Sequence, residues 1–379
     1  MKNIKIFVDC HVFDGPPQGT TTYLKGLYQE LIQDQTKTFY FATFNSDLQA
    51  IFGSNSNVHY LKYASKNKYF RLLIDIPRLI EKNAIDYAHF QYIIPPIKKC
   101  NYIVSLHDVL LLDFPTYFPF GFRISKKFLF KWSAKKAAIV LTVSEYSKKK
   151  IEDHFKIKNV EITPNAVDKC FYEDYDKKAA VAMAKARYGV ENYLIYISRW
   201  ESRKNHLFLL KVFVENEFYL QHHLVFIGDN AITNRAYQLY YDSLANHIKS
   251  KILILNKVNS AELLILVRGA SLSVYPSIAE GFGIPPLETA AAKVPTICSN
   301  TTAMSDFDFF KEALFDPLDE NDLKEKISNG LKNQNVAAIS EVIKARYNWK
   351  LAANTLKKII NDKSNTISST FVLTSKKST

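Results

Sequence analysis

A regular succession of short apolar runs, separated by longer amphipathic stretches, limits the fold of this chain more than any other feature. The runs lack the alternation of apolar and polar residues typical of half-exposed antiparallel strands, so we interpret them as buried parallel strands. They lie at 4–9, 39–43, 87–90, 102–108, 137–144, 193–198, 223–229, 251–258, 270–277 and 294–300. Helical patterns lie between most of them, for example at 20–34, 71–83, 125–136, 205–215, 235–249, 260–268 and 286–292. The sequence therefore predicts an α/β protein with parallel sheets.

The length of the chain, 379 residues, is large for one hydrophobic core and predicts two domains. The polar segment 168–180 follows the first five strands and is the expected boundary between two Rossmann-like halves. Residues 363–379 are rich in Ser, Thr and Lys, and this composition predicts a flexible tail.

The charge and cysteine content narrow the class of protein. The net charge of +13 favours anionic partners, which include nucleotides, phospholipid headgroups and nucleic acid. The four cysteines form no C-x-x-C pair, which argues against a zinc site or a disulfide framework and suits a reducing compartment. No stretch reaches the roughly 18 apolar residues of a membrane-spanning helix, and the N-terminal apolar run is too short and too charged for a signal peptide. We therefore expect a soluble, cytoplasmic protein.

The segment 276–295, PSIAEGFGIPPLETAAAKVP, combines two glutamates, Glu280 and Glu288, with a glycine turn and a helix start. It follows a predicted strand, so the turn lies at the carboxyl edge of the sheet, where α/β proteins bind ligands. The free N–H groups of the turn and helix start favour an anion, while carboxylates accept hydrogen bonds from sugar hydroxyls. A nucleotide-sugar has both chemical features. The alternative is a helix with acidic residues in its first turn and no ligand.

A second strand, turn and helix lie at 193–213, and this turn carries Arg199, Arg203 and Lys204. If both turns line the same sheet edge, these cations face the predicted anion site and can bind phosphate oxygens. The alternative is a solvated basic turn.

These two segments, SRWESRKN and PSIAEGFGIPPLETAAAKVPTICSN, resemble the C-terminal half of family 4 glycosyltransferases, with Glu280 and Glu288 as the E-x7-E motif. Further segments resemble the same family in the same order: QGTTTYLKGLYQEL (18–31), VSLHD (104–108), LTVSEYSKKKI (141–151), ITPNAVD (162–168), ALFDPLDENDL (313–323) and YNWKLAANTL (347–356). The resemblance extends over roughly residues 4 to 360.

The resemblance implies the GT-B fold, in which two Rossmann-like domains with parallel sheets face each other across a cleft. It places an acceptor-binding domain at 1–176, a nucleotide-sugar-binding domain at 177–345 and a helix returning to the first domain at 346–362. It further implies retaining transfer of a hexosyl group, mannose- or rhamnose-like, from a nucleotide-sugar to a lipid-linked saccharide in lipopolysaccharide or capsule synthesis, without metal or cofactor. The alternative is a nucleotide-sugar 2-epimerase of the same architecture.

The family pattern also implies roles for individual residues. Arg199 and Lys204 would neutralise the donor pyrophosphate and the charge that develops on the leaving group. Glu288 would hold the nucleotide ribose, Glu280 the hydroxyls of the donor sugar, and His107 would lie near the donor sugar and the acceptor. The full predicted set is catalytic His107, Glu280, Arg199 and Lys204, and donor-binding Gly19, Gly281, Phe282, Gly283, Glu288 and Val258. No metal ligand is predicted.

Some positions depart from the family pattern. Lys293 stands where the family often has glycine, the N-terminal loop reads PPQGTTTY, and MSDFDFF replaces the usual Pro-Glu at 304–310. Two D-x-D triplets, at 174–176 and 306–308, are typical of metal sites in another glycosyltransferase fold. We interpret both as chance, because one lies in the linker and the other in the divergent loop.

Residues 121–150 contain nine basic residues and one acidic residue, interleaved with bulky aromatic side chains. This pattern is typical of a helix at a membrane interface, and it predicts contact with an anionic membrane at the inner face. The alternative is a solvated basic helix over an ordinary core. Two other classes rank lower: a glycoside hydrolase leaves the basic turn without a purpose, and no motif supports a nucleic-acid partner.

Overall fold

The computed structural model describes residues 3–16, 18–229, 234–332 and 336–375, with side chains up to Asn365. The described chain forms two compact units. The first comprises the described residues of 1–109, 121–166 and 347–379, and the second those of 110–120 and 167–346.

Each unit is built on one sheet in which every strand pair is parallel. The first sheet contains β1 Ile4–Asp9, β2 Lys37–Thr43, β3 Val58–Lys62, β4 Tyr87–Gln91, β5 Asn101–Ser105, β6 Ile139–Thr142 and β7 Val160–Ile162. The second contains β8 Tyr193–Ile197, β9 His223–Ile227, β10 Ile252–Leu255, β11 Leu272–Tyr275, β12 Thr296–Ser299 and β13 Leu314–Phe315.

The α-helices are α1 Gly19–Leu31, α2 Leu48–Phe52, α3 Lys68–Phe70, α4 Ile76–Lys82, α5 Leu110–Asp113, α6 Phe120–Lys136, α7 Glu145–Phe155, α8 Lys177–Tyr188, α9 His206–Glu215, α10 Arg235–Ser243, α11 Asn246–Lys249, α12 Ser260–Gly269, α13 Ile284–Ala291, α14 Glu320–Gly330, α15 Val336–Arg346 and α16 Trp349–Ser375. Among the residues that the structure describes, no helix is long and apolar enough to cross a membrane.

The strand orders are β3-β2-β1-β4-β5-β6-β7 and β10-β9-β8-β11-β12-β13. In both sheets the chain builds outward from the first strand in one direction and then reverses, between β1 and β4 and between β8 and β11. Such a reversal creates a crevice at the carboxyl ends of the central strands, where doubly wound sheets bind ligands. The prediction of two Rossmann-like α/β domains is confirmed.

Three strands escape the sequence prediction because they carry little apolar pattern. β3 is partly exposed, and β7 and β13 have only three and two residues. The predicted helix at 71–83 is interrupted, since Arg71–Asp75 forms a π-helical turn before α4 begins.

The first and second units divide between residues 166 and 167, ten residues before the predicted boundary at 176. The reason lies in the linker, which is fixed to the second unit. Arg268 Nη2 donates to the Cys170 carbonyl oxygen at 2.7 Å, the Tyr175 hydroxyl donates to the Ala292 carbonyl oxygen at 2.7 Å, and Asp174 pairs with Lys293 at 2.9 Å.

The helix α16 packs on α1 within the first unit. The ideal Cβ position of Gly26 lies 2.1 Å from the Trp349 indole, so only glycine allows this approach, and Lys357 pairs with Asp34 at 2.9 Å. The helix continues to Ser375, beyond the end at residue 362 that the family resemblance implies. Composition predicts a flexible tail at 363–379, although Ser and Lys are compatible with a helix. Residues 376–379 of the predicted tail lie outside the described residues.

Candidate functional site

Two turns meet at the carboxyl edge of the second sheet. Because β8 and β11 are hydrogen-bonded neighbours, the turns that follow them emerge side by side. The Ile278 N–H donates to the Arg203 carbonyl oxygen at 2.8 Å, which ties one turn to the other. From below, the Tyr196 hydroxyl lies 2.7 Å from the Lys204 carbonyl oxygen and 3.1 Å from Ser277 Oγ. The two turns therefore form one hydrogen-bonded structure.

Glu280 is the centre of this structure. Lys204 Nζ contacts Glu280 Oε1, and Arg203 Nη1 lies 3.2 Å from Glu280 Oε2. All three side chains are 14–16% exposed. Burial raises the cost of ionising Glu280, but the charges of Lys204 and Arg203 outweigh it and lower the pKa of this carboxyl to about 2. Glu280 is therefore an ionised, hydrogen-bonded carboxylate at neutral pH.

The basic residues of the first turn have different environments. Arg203 also donates to the Ala279 carbonyl oxygen at 2.6 Å and pairs with Glu201 at 2.7 Å, so its guanidinium is committed to protein partners. Arg199 is 56% exposed, and its nearest acidic group, Glu201, is 3.8 Å away. Arg199 is thus free to contact a ligand phosphate, whereas Arg203 holds the turns together. The sequence prediction counted Arg203 among the cations of this turn but did not include it in the full set of site residues.

The glycine turn between the glutamates is shaped by Gly283, which precedes α13. Its φ of +100° lies in the region that favours glycine, and a Cβ there would lie 2.9 Å from Met304 Cγ. Phe282 is buried against the edge of Phe307, with ring centroids 5.7 Å apart. The divergent MSDFDFF segment therefore supplies the wall on which this turn rests.

Glu288 lies on α13 in a different environment from Glu280. Its side chain is half-buried and makes no hydrogen bond or ion pair within the described ranges of the chain. Burial, with a smaller contribution from the charge of Asp168, raises the pKa of Glu288 to about 7. The carboxyl group is therefore available to a ligand, and its charge changes near neutral pH.

Gly228 supports the Arg199 turn and was not among the predicted site residues. It follows β9, and a Cβ at this position would lie 1.9 Å from the Ser198 carbonyl oxygen and 3.1 Å from the Arg199 nitrogen. The next residue of the same turn, Trp200, donates its N–H to Asp229 at 3.0 Å and stacks on His206 at 4.1 Å. A glycine directly after a buried strand is the sequence signal that marks this contact.

For two predicted donor-binding residues, Val258 and Gly19, the contacts within the protein give little information about a role in binding. Val258 is half-buried in the loop between β10 and α12. Gly19 is the first residue of α1, and a Cβ there would meet no atom within 4 Å. Protein packing does not require glycine at position 19, so its predicted role in phosphate approach stays a prediction.

His107 follows β5 in the first unit and is 8% exposed. Its Nε2 lies 2.6 Å from Gln91 Oε1, and its ring meets the Tyr23 ring edge-on at a centroid distance of 4.9 Å. Burial lowers the pKa of His107 to about 4, so the imidazole is neutral at physiological pH.

The positions that depart from the family pattern have structural explanations. Lys293 has φ +57°, in the left-handed region where glycine is favoured, and its ammonium pairs with Asp174 at 2.9 Å. In the second D-x-D triplet, Asp308 pairs with Arg346 at 2.5 Å. Across the part of the chain that the structure describes, no group of three or more His, Cys, Asp or Glu side chains is placed to hold a metal ion.

Comparison with known proteins gives matches in both halves of the chain. The family model Glycosyltransferase Family 4 matches residues 17–169, and the model Glycosyl transferases group 1 matches residues 182–349. The chain is 29% identical over 240 residues to the O-antigen chain mannosyltransferase RfbU of Salmonella typhimurium. This match covers 60% of each protein, so the chain spans about three fifths of the length of that curated relative.

Solved structures resemble the whole chain. Sucrose-phosphate synthase from Thermosynechococcus elongatus has a TM-score of 0.77 at 15% identity, covering 96% of this chain and 100% of that one. Anabaena HepE in complex with UDP-glucose has a TM-score of 0.74 at 12% identity, covering 95% and 100%. At such low identities the likeness shows the fold, which is GT-B. The two family-model matches, which together extend over residues 17–169 and 182–349, show that the chain belongs to the family 4 glycosyltransferases.

Proposed function

We propose that this protein is a retaining hexosyltransferase that moves a mannose-like sugar from a nucleotide-sugar to a saccharide acceptor in bacterial surface-polysaccharide synthesis. The observation that carries this proposal is the joined pair of turns in which Lys204 and Arg203 contact Glu280, beside the exposed Arg199. The name of the Salmonella relative supports mannose as the sugar and O-antigen as the type of product. The nucleotide-sugar in the HepE complex supports the class of donor.

The roles of the charged residues follow from their surroundings. Arg199 is exposed and weakly paired, and it would bind the donor pyrophosphate. The Lys204 ammonium would contact the same pyrophosphate in addition to Glu280. Glu280 is ionised and would accept hydrogen bonds from the hydroxyls of the donor sugar, which then lies against the cations. Glu288 has no hydrogen-bond or ion-pair partner among the described residues, and it would accept hydrogen bonds from the two ribose hydroxyls. Its orientation toward a ligand costs the protein no internal hydrogen bond.

The reaction that we propose is balanced without a metal. The bond between the anomeric carbon and the phosphate oxygen breaks, and its electron pair leaves with the nucleoside diphosphate. The acceptor hydroxyl oxygen bonds to the anomeric carbon on the same face, and its proton passes to the departing phosphate oxygen. Arg199 and Lys204 stabilise the negative charge that develops on that oxygen, an effect typically worth several kcal/mol. His107 is the predicted residue near the sugar and the acceptor.

The experiment that tests this function is an incubation of purified protein with GDP-mannose, dTDP-rhamnose, UDP-glucose or UDP-N-acetylglucosamine, with and without a lipid-linked saccharide extract. Mass spectrometry should show an acceptor extended by one sugar with one of the donors, and NMR should show that the anomeric configuration of the donor is kept. An inverted product would contradict the retaining mechanism. Conversion of the donor to a second nucleotide-sugar in the absence of acceptor would indicate that the protein is an epimerase and not a transferase.

We also propose that the acceptor is reached at an anionic membrane surface, on which α6 lies. Its side chains Phe122, Ile124 and Phe128 are 44%, 53% and 70% exposed. Lys127 is exposed among them, and Lys126 extends its ammonium over the Phe122 ring at 5.5 Å. A helix with exposed aromatic and basic side chains has the composition of interfacial helices, which bind through apolar burial and attraction to anionic lipids.

A second segment with exposed side chains supports this proposal. Tyr69 and Leu73, on α3 and the π-helical turn, are 64% and 46% exposed. Burial lowers the pKa of Lys126, and the positive charge of Lys68 adds to this lowering. The two segments together are referred to below as the basic aromatic surface, comprising residues 68–73 and 122–131.

A further inference from the structure

Thr302 has a backbone conformation that its type of side chain disfavours. Its φ is +53°, in the left-handed region, where a side chain branched at Cβ crowds the backbone. The residue is 8% exposed and begins the short 3-10 turn Thr302–Asp306 that follows β12. Because such a conformation persists only where the surrounding contacts determine it, the contacts of Thr302 have to explain it.

The contacts of Thr302 lead to Glu280. The Glu280 N–H donates to Thr302 Oγ1 at 2.9 Å, and the same hydroxyl donates to the Thr301 carbonyl oxygen at 2.8 Å. The next residue, Ala303, donates its N–H to the Glu280 carbonyl oxygen at 3.3 Å. Both backbone polar groups of Glu280 are therefore bonded to the segment 302–303.

Two other hydroxyls near the end of β12 bind the residues that precede Glu280. Ser299 Oγ donates to the Ser277 carbonyl oxygen at 2.6 Å, and Thr301 Oγ1 donates to the Ile278 carbonyl oxygen at 3.0 Å. The Thr302 hydroxyl differs from these two, because its oxygen accepts a hydrogen bond and because its partner is Glu280 itself.

Glu280 is thus fixed at both ends. Lys204 and Arg203 contact its carboxylate, and Thr302 holds its backbone N–H. A group that binds a substrate acts best when the protein has already placed it, so that binding does not have to order it. Glycine would adopt the φ of residue 302 without strain, but it has no hydroxyl to accept the Glu280 N–H. The strained threonine makes a contact that the relaxed residue could not make.

We propose that Thr302 is a positioning residue, which fixes the backbone of Glu280 so that its carboxylate meets the hydroxyls of the donor sugar. This inference rests on the proposed function of Glu280 and adds a residue to the donor site. The diphosphate of the donor has its proposed partners, Arg199 and Lys204, on the other turn. Loss of the Thr302 hydroxyl should therefore weaken recognition of the sugar more than recognition of the nucleoside diphosphate.

The hydrogen bond is tested without any ligand, by two matched variants. Thr302→Ser keeps the hydroxyl and Thr302→Ala removes it, while both lack the branched Cβ, so the pair differs by one oxygen atom. In NMR hydrogen exchange, the Glu280 amide should be protected in the natural protein and in Thr302→Ser. It should exchange about tenfold faster in Thr302→Ala, because the N–H loses its partner. The Glu280 resonance is identified by comparison with Glu280→Gln. Equal exchange in the two Thr302 variants would overturn the assigned contact.

Binding separates a positioning role from a purely structural one. Calorimetry compares each nucleoside diphosphate with its nucleotide-sugar: GDP with GDP-mannose, dTDP with dTDP-rhamnose, and UDP with UDP-glucose. For the pair that the natural protein binds, the ratio of the two dissociation constants measures recognition of the sugar. Thr302→Ala should shift this ratio against the nucleotide-sugar by about fivefold, with less than about a twofold change for the diphosphate. Thr302→Ser should restore the natural ratio. Equal weakening of both ligands in Thr302→Ala would mean a structural role only.

Glu280→Ala shows which level of the inference fails. If this variant keeps the natural ratio, then Glu280 does not bind the sugar and its proposed function is wrong. If Glu280→Ala loses recognition of the sugar while Thr302→Ala keeps it, then the positioning role of Thr302 is wrong. If the natural protein binds none of the three pairs, the proposed donor site is wrong, and the positioning role falls with it. Thr302→Val, which also lacks the hydroxyl but keeps the size of threonine, replaces Thr302→Ala if that variant does not fold.

Discussion

Glu280 and Glu288 share one residue type and one segment, yet their surroundings move their pKa values in opposite directions. Glu280 contacts two cations, which lower its pKa to about 2, while burial, and then the charge of Asp168, raise the pKa of Glu288 to about 7. Between about pH 2 and pH 7, Glu280 is therefore ionised and Glu288 is protonated in the folded protein. The two residues therefore respond differently to pH and to neutralisation.

Neutralising each glutamate in the free protein should change stability with opposite signs. The pKa of Glu288 is above its ordinary value of 4.5, so its contribution is complete below pH 4.5 and is lost as pH rises through 7. Glu288→Gln should therefore raise the free energy of unfolding at pH 8, by up to about 3 kcal/mol, and change it much less at pH 5. The pKa of Glu280 is below 4.5, so its contribution is present above pH 4.5 and is lost as pH falls through 2.

The matching experiment is urea unfolding of both variants at pH 5 and pH 8. Glu280→Gln should lower the free energy of unfolding by up to about 3 kcal/mol at both pH values, since both lie above its ordinary pKa. Each variant is the control for the other, because the change from carboxylate to amide is the same. Destabilisation by Glu288→Gln at pH 8 would show that this carboxyl has a partner in solution.

Lys293 shows how a departure from the family pattern is tolerated. Its φ of +57° disfavours residues with a Cβ, and most strongly those branched at Cβ. Lys293→Gly removes this strain but also the ion pair with Asp174 and increases the entropy of the unfolded chain, so stability should change by less than about 1 kcal/mol. Lys293→Val keeps the strain and loses the ion pair, so we expect a loss of about 1–2 kcal/mol. The thermal unfolding temperatures of the three variants test these effects, and we expect them to decrease from Lys293→Gly through Lys293→Ala to Lys293→Val.

At the scale of elements, the strand–turn–helix segments around Lys204 and Glu280 are predictable from sequence because each is local. An apolar run, a turn with glycine or charge, and a helix start follow one another within about 20 residues. The contacts that Arg203 and Gly228 make are not predictable in this way. They depend on Glu280 and Ser198, which the fold brings to them over 77 and 30 positions. The same reason explains β3, β7 and β13, which are strands only because a neighbouring strand pairs with them.

The contact between the β9 end and the Arg199 turn gives an element-scale prediction. In Gly228→Ala the new methyl group would overlap the Ser198 carbonyl oxygen, and backbone cannot move aside as a flexible side chain can. We expect a loss of about 2 kcal/mol or more in stability, together with weaker nucleotide binding as the Arg199 turn shifts. Gly15→Ala is the control, because a Cβ there meets nothing within 4 Å and its φ is −113°. Equal stability of both variants in denaturant unfolding would contradict the assigned contact.

At the scale of the whole molecule, the basic aromatic surface contributes six basic residues and no acidic residue to the net charge of +13. Co-sedimentation should show binding to vesicles that contain phosphatidylglycerol and little binding to neutral phosphatidylcholine vesicles, with a decrease at high salt. Lys127→Glu should reduce this binding, whereas Lys324→Glu on α14 makes the same charge change in the second unit and should have a smaller effect. Phe128→Ser should weaken binding without changing its salt dependence. Equal binding to both kinds of vesicle, or to neither, would contradict an electrostatic surface.

The donor site should also show itself as ligand-linked stability of the whole protein. A ligand at about 100 times its dissociation constant stabilises the folded state by roughly 2.7 kcal/mol, so the matching nucleotide among GDP, UDP, dTDP, ADP and CMP should raise the thermal unfolding temperature. The increase should persist in EDTA, because the proposed partners of the pyrophosphate are Arg199 and Lys204. Lys204→Ala should lose most of this increase, while Lys211→Ala on the following helix should keep it. A nucleotide-dependent increase that EDTA abolishes would indicate that binding at the site depends on a metal. If no nucleotide raises the unfolding temperature, the Glu280 turn has a structural role only.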